Sequence, residues 1–144
     1  MKLTTKGRYA VRCMLHLALN NSGRTVPVSK IAQHDTISSN YVEQLFLMLN
    51  KKGLIESVRG RNGGYRLAEK PENISMAKII EVVEGPIVTV ECSSEKKKCK
   101  RYSSCDTKYL WEAVSERVKN VLDDINLKDL CCMLNDGVKG ETVN

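Results

Sequence analysis

Between residues 28 and 67 the spacing of apolar side chains switches from helical to extended, and that switch restricts what the chain can build. Val28, Ile31 and Ala32 recur at helical steps. Asp35-Thr36-Ile37-Ser38 reads as a tight turn, and Val42, Leu45, Phe46 and Leu49 then mark a second amphipathic helix over about residues 39–52. Asn40 and Glu43 stand at capping-box spacing, with Ser38 as a competing cap. Gly53 is a C-terminal stop. Residues 54–58 and 65–67 read as two short strands around the basic, glycine-rich connection Arg59-Gly60-Arg61-Asn62-Gly63-Gly64. A helix, a turn, a second helix and a hairpin follow one another in the order of a winged helix-turn-helix. A phosphate-cradling loop is excluded at the glycines, because no Lys-Ser/Thr follows them.

Helices are expected on either side of this unit. Residues 5–20 carry Val11, Met14, Leu15 and Ala18 on one stripe, with Thr4 or Thr5 as cap. Residues 75–84 place Ile79, Ile80 and Val83 inward behind the cap Ser75, and Gly85-Pro86 stops the helix. Residues 87–105 lack periodicity and read as a loop. From Thr107 to about Ile125 a long helix repeats Leu110, Val114, Val118, Val121 and Ile125, with Trp111 and Leu122 widening the stripe. So small a domain cannot cover all of it, so a homodimer joined through this helix is expected; folding back onto its own domain is the alternative. A short helix over 127–134 closes the chain. The expected fold class is mainly α with a small β-hairpin wing (α+β). It divides into a winged helix-turn-helix domain at 1–70, a connecting helix and cysteine loop at 71–105, and a dimerisation helix and tail at 106–144.

Charge separates the same parts. Residues 1–70 hold 12 Lys/Arg against 4 Asp/Glu, a balance of +8, whereas 71–144 hold 11 against 13, a balance of −2. A basic half beside a near-neutral one suggests that the first meets a polyanion; with the helix-turn-helix and the dimer, the expected partner is double-stranded DNA with a palindromic operator. A recognition helix shows its N-terminal residues to base edges, which here are Ser38, Ser39, Asn40, Tyr41, Glu43 and Gln44. Gln bonds adenine bidentately and Glu accepts from cytosine N4. Arg59 and Arg61 at the wing tip suit a narrow minor groove, and Lys2, Lys6, Arg8, Lys51 and Lys52 suit phosphates. No apolar run approaches ~18 residues and the N-terminus does not read as a secretory signal, so no membrane partner and a cytoplasmic location are expected.

Six cysteines in a cytoplasmic chain are not a disulfide framework. Cys13 reads as core, and Cys131 and Cys132 lie near the C-terminus. Cys92, Cys99 and Cys105 share one polar loop at the spacing Cys-x6-Cys-x5-Cys, beside the basic residues 96–98, Lys100 and Arg101. Three thiolates so placed suit a soft metal centre, and basic neighbours favour the thiolate form. The long, uneven spacing suits an iron–sulfur cluster; a zinc site, which favours CxxC-like pairs, and a disulfide switch are the alternatives. An enzyme is not expected, since CxxC and a βαβ layout are both missing.

Residues 1–11, the run Tyr41-Val42-Glu43-Gln44-Leu45-Phe46, and Val58-Arg59-Gly60-Arg61-Asn62-Gly63-Gly64-Tyr65 closely resemble the iron–sulfur cluster regulators of the BadM-type winged-helix transcription factor family. The resemblance runs through the cysteine loop, Leu110-Trp111 and Ile125-Asn126-Leu127, covering roughly residues 1–134. It implies a homodimeric transcriptional regulator that senses cluster status, controls cluster-assembly genes and holds a 2Fe–2S cluster on Cys92, Cys99 and Cys105, with 4Fe–4S as the alternative. In the best-known branch a histidine three residues after the third cysteine completes the ligands; here that position is Lys108. Asp106, an N-terminal residue of the partner subunit, Cys131, Cys132 or a small thiol remain for the fourth ligand. A nitric-oxide-sensing branch uses an aspartate near the N-terminus where this chain has Arg8. A cluster-free or thiol-redox repressor of cysteine metabolism is the other alternative. The two histidines, His16 and His34, lie in the DNA-binding half and read as structural.

Overall fold

The helix α1 (Thr5–Leu19) lies across the centre of the molecule, and every other part of the winged domain packs against it or against what it covers. The computed structural model describes residues 3–20, 22–94 and 99–142. Next come α2 (Val28–Asp35), α3 (Ser39–Lys51), the hairpin β1 (Ile55–Val58) and β2 (Gly64–Leu67), then α4 (Met76–Glu84). A single helical turn α5 (Glu91–Ser94), the long α6 (Lys108–Asp124) and α7 (Leu127–Thr142) complete the order. This is the expected α+β winged helix-turn-helix arrangement.

The recognition unit follows its apolar pattern closely. Val42, Leu45, Phe46 and Leu49 are all buried on α3, each such side chain contributing about 1.5–3 kcal/mol. The Asn40–Glu43 box does not cap α3; the Ser38 hydroxyl accepts from the Tyr41 N–H instead. Thr36 turns the chain between α2 and α3 in a left-handed conformation, with φ 55°. In the hairpin Ile55 pairs with Leu67 and Val58 with Gly64, antiparallel. Val26 adds a further bridge to Tyr65. That bridge explains Gly64, where a Cβ would run into the Val26 carbonyl and φ is +149°.

Helix α1 is buried on Ala10, Cys13, Met14, Leu17 and Ala18, so its stripe is rotated from the expected one: Val11 and Leu15 are only half-buried. Its N-terminus is capped from a distance. Thr4 holds the N-cap position, but its hydroxyl donates to Glu84 Oε1 at 2.6 Å, and the same oxygen accepts from Thr4 N and Gly7 N. A carboxylate at this end also complements the helix dipole. Glu84→Ala is therefore expected to cost about 1–2 kcal/mol, read as a lower urea midpoint with an unchanged slope.

The region after the wing differs most from expectation. Cys92 lies in α5 rather than in a loop, and residues 96–98 fall outside the described residues. The stripe of α6 is not left open along its whole length. Val118, Leu122 and Ile125 pack inward onto the cores built around α1 and α4, while Leu110 and Val121 are 52% and 59% exposed. The reason is angular. At 3.6 residues per turn Leu110 and Val121 lie within about 20° of each other, and Val118 and Leu122 lie about 60–120° further round. One wide apolar arc thus serves two faces.

The last helix runs to Thr142, well beyond 134. Its start is a reciprocal cap in which Asn126 N donates to Asp129 Oδ2 and Asp129 N donates to Asn126 Oδ1. Its apolar pattern stops near Leu134, but Gly137 only weakens a helix that no proline breaks. Leu127 is fully buried in the main core, with Leu130 and Cys131 packed beside it.

Candidate nucleic-acid interface and cysteine loop

Because one side of α3 is consumed by the core, the opposite side is left for a partner. Ser39, Asn40, Glu43 and Gln44 are exposed there, and Lys51 lies at its C-terminal end. Asn40, Gln44, Leu47 and Lys51 recur at helical steps along this face. Leu47 is 63% exposed and was missed in the sequence, although its spacing between Gln44 and Lys51 marks it. An aliphatic side chain there suits a thymine methyl group. The Ser38 hydroxyl, an expected base contact, already accepts from Tyr41 N. Tyr41 is half-buried, its ring edge-on to Tyr9 at 6.0 Å, and the Arg12 guanidinium stacks on Tyr9 at 5.5 Å. Tyr41 thus fastens the start of α3 to α1.

The wing tip carries Arg59 and Arg61, both exposed. A groove of about 570 Å³ beside it is lined by Arg24, Thr25, Arg61 and Arg66 among others. Thr25 Oγ1 donates to the Asn62 carbonyl, which ties the tip to the segment before α2. Arg66 Nε donates to Glu56 Oε1 at 2.6 Å across the hairpin. Arg24 and Arg61 are the groove's cations that no acidic partner engages among the described residues. On α1, Arg8 is exposed and Lys6 half-buried, and Lys52 is exposed after α3. Lys2 lies outside the described residues.

Cys92, Cys99 and Cys105 are free, half-exposed thiols in the segment between α4 and α6, and the structure does not bring their sulfurs together into one ligand group. Ser115, the buried polar residue of α6, anchors that helix: its hydroxyl donates to the Trp111 carbonyl at 2.7 Å and accepts from Thr89 N at 2.9 Å. The Cys105 thiol is held below the ordinary thiol range, first by the Thr107 hydroxyl 3.5 Å away and then by the Thr107 backbone N–H. Burial pushes the Cys131 thiol up, with Cys132 adding to the shift. Lys108 replaces the expected histidine, and its ammonium lies 5.5 Å from the Tyr102 ring centroid and 5.0 Å from that of Tyr109. Its ammonium is thus engaged by two aromatic faces. Cys131 and Cys132 lie beyond the C-terminal end of α6, whose 17 residues span about 25 Å, so within one chain they do not reach the loop.

Residues 3–133 match the family model described as Rrf2, iron-dependent transcriptional regulator. The chain belongs to the Rrf2 family. It is 43% identical over 130 residues to the HTH-type transcriptional regulator IscR of Aliivibrio salmonicida, covering 90% of this chain and 77% of that one. A solved structure of T. potens IscR overlays with a TM-score of 0.73 at 37% identity, covering 95% of this chain and 88% of that one. The structure of CymR, the global cysteine regulator of B. subtilis, overlays with a TM-score of 0.76 at 38% identity, covering 92% and 98%. As a Rrf2 protein the chain is a DNA-binding transcriptional regulator, and the exposed face of α3 with its arginine-bearing wing is the surface suited to that work. No helix among the described residues is long and apolar enough to cross a membrane.

Proposed function

We propose that this protein is a homodimeric, cytoplasmic, iron–sulfur-cluster-dependent regulator that binds palindromic operators and controls genes of cluster assembly. The carrying observation is one chain that joins the exposed α3 face and arginine wing to three free, half-exposed thiols in the segment between α4 and α6. Cys92, Cys99 and Cys105 hold the cluster, 2Fe–2S in this reading. In donor type the set fits: three half-exposed sulfurs are soft ligands, and Thr107 lowers the pKa of one of them, Cys105. Lys108 is withdrawn onto Tyr102 and Tyr109, and an ammonium is no iron ligand. Asp106, a residue of the partner subunit or a small thiol then supplies the fourth bond. A bound cluster supplies a redox-active, oxidant-labile centre whose presence reports iron and sulfide supply. The residues divide into the DNA-reading domain 1–70, the coupling region 71–105 and the dimerisation region 106–144.

On DNA, Asn40, Glu43 and Gln44 face base edges with Ser39 beside them, while Lys2, Lys51 and Arg8 meet phosphates and Arg59 and Arg61 enter the minor groove. Ser38 and Tyr41 set the angle of α3 rather than reading sequence alone. These roles differ in the kind of loss they predict. Gln44→Ala is expected to weaken binding at particular base positions by about 1–3 kcal/mol. Lys51→Ala weakens binding to every sequence alike and lowers the salt slope by about one. Titration of a panel of mutated operators at several salt concentrations tests this, and equal effects of both changes across the panel would contradict it.

A second reading is favoured by one observation. The chain spans nearly the whole of the cysteine regulator's structure, which fits a cluster-free regulator of cysteine or sulfur metabolism. Under that reading the three loop thiols carry no iron and no sulfide.

A further inference from the structure

His16, His34 and Asp35 converge although they come from two helices and two distant stretches of sequence. Their ligand atoms all lie within 4.8 Å of one another. His16 and Asp35 are each 8% exposed, whereas the His34 side chain is 68% exposed. Two atoms of this group, His16 Nε2 and Asp35 Oδ2, are buried and accept or donate no hydrogen bond among the described residues. Buried polar atoms are nearly always partnered, and leaving two unpaired in one cluster is costly. The other Asp35 oxygen is accounted for, since Oδ1 accepts from Arg12 Nη2 at 3.2 Å and lies 3.4 Å from His34 Nδ1.

From this geometry we infer a second metal site, distinct from the cysteine loop, in which His16 Nε2, His34 and Asp35 Oδ2 bind a divalent transition-metal cation of the zinc class. Two imidazoles and a carboxylate form a borderline donor set that suits such a cation, with the fourth position open to water on the exposed His34 side. Metal–ligand bonds of about 2.0–2.2 Å require the donors to close by roughly 1 Å, and the exposed His34 ring has the freedom to do so. Burial, followed by the charge of His34, lowers the His16 pKa. Arg12 holds the carboxylate from its Oδ1 edge and leaves Oδ2 buried and unpartnered, the supporting role that outer partners of metal ligands play. Arg12 and Lys30 oppose a dication through space, but both are exposed to solvent. Cys13, also close to Asp35, is pushed up to about 12 by burial and stays a neutral thiol. The cation would pin α2, the first helix of the helix-turn-helix, to α1 directly before the Thr36 turn into α3.

The site is independent of the cluster reading, and the test separates them. Co2+ is titrated anaerobically into the full chain carrying Cys92→Ser, Cys99→Ser and Cys105→Ser. The expected result is one Co2+ per chain with visible d–d bands, no thiolate charge-transfer band, and a raised Tm. Adding His34→Ala, an exposed change that leaves the core intact, should weaken binding at least tenfold; His16→Gln should do the same where circular dichroism shows it folded. No bound Co2+, a thiolate charge-transfer band, or an affinity unmoved by His34→Ala would overturn the site.

Discussion

Leu110→Glu combined with Val121→Glu should turn the protein into a folded monomer that no longer holds a palindromic operator. Both side chains are more than half exposed in the single chain, so the charges disturb no intrachain core. They share a face of α6, and Tyr109 beside them is 71% exposed. A face of this kind on a long helix is covered by a second copy in the proposed dimer. Losing the partner removes the linked second half-site, which is worth about 10²–10⁴ in affinity. Sedimentation should show the mass of one chain with an unchanged far-UV spectrum, and operator binding should fall by that factor. A double variant that sediments as a dimer and binds normally would remove α6 from the interface.

The second large effect concerns coupling between the cysteine loop and α3. Cys92→Ala, Cys99→Ala and Cys105→Ala should each abolish binding to operators that need the cluster. Glu43 is exposed on the DNA side of α3 and takes no part in the cap, which Ser38 makes. Unless a cytosine N4 amine donates to it, its carboxylate repels the DNA backbone. Glu43→Ala should therefore let the cluster-free protein bind such operators, and should restore binding to each cysteine variant. A difference of ~1.4 kcal/mol between the two forms already gives a tenfold preference. Titration of operators with cluster-loaded, cluster-free and variant proteins at fixed salt measures the ratio. A ratio that Glu43→Ala leaves unchanged on every operator would sink the coupling.

Local patterns carried the DNA-binding half into the sequence because each element there buries one clean face. Val42, Leu45, Phe46 and Leu49 leave α3 a single orientation, and Gly64 marks the close approach of β2 to Val26. Features that depend on remote partners were not legible. The cap of α1 comes from Glu84, so no local rule around Thr4 and Thr5 reveals it. The apolar arc of α6 is wide enough for two faces, and only the position of α4 divides it. The meeting of His16 with His34 and Asp35 depends on how α1 crosses α2. Leu47 is legible by its spacing between Gln44 and Lys51, on the side opposite the buried stripe.

The central claim rests on what the three loop thiols hold. Anaerobic purification of the full chain, followed by a visible spectrum and counts of iron and acid-labile sulfide, tests it directly. A coloured protein with iron and sulfide in equal amounts, about two of each per chain, is predicted, together with loss of colour in Cys92→Ala, Cys99→Ala and Cys105→Ala. A colourless chain without iron or sulfide, unchanged after anaerobic reconstitution, would contradict the cluster and leave the cluster-free regulator in its place.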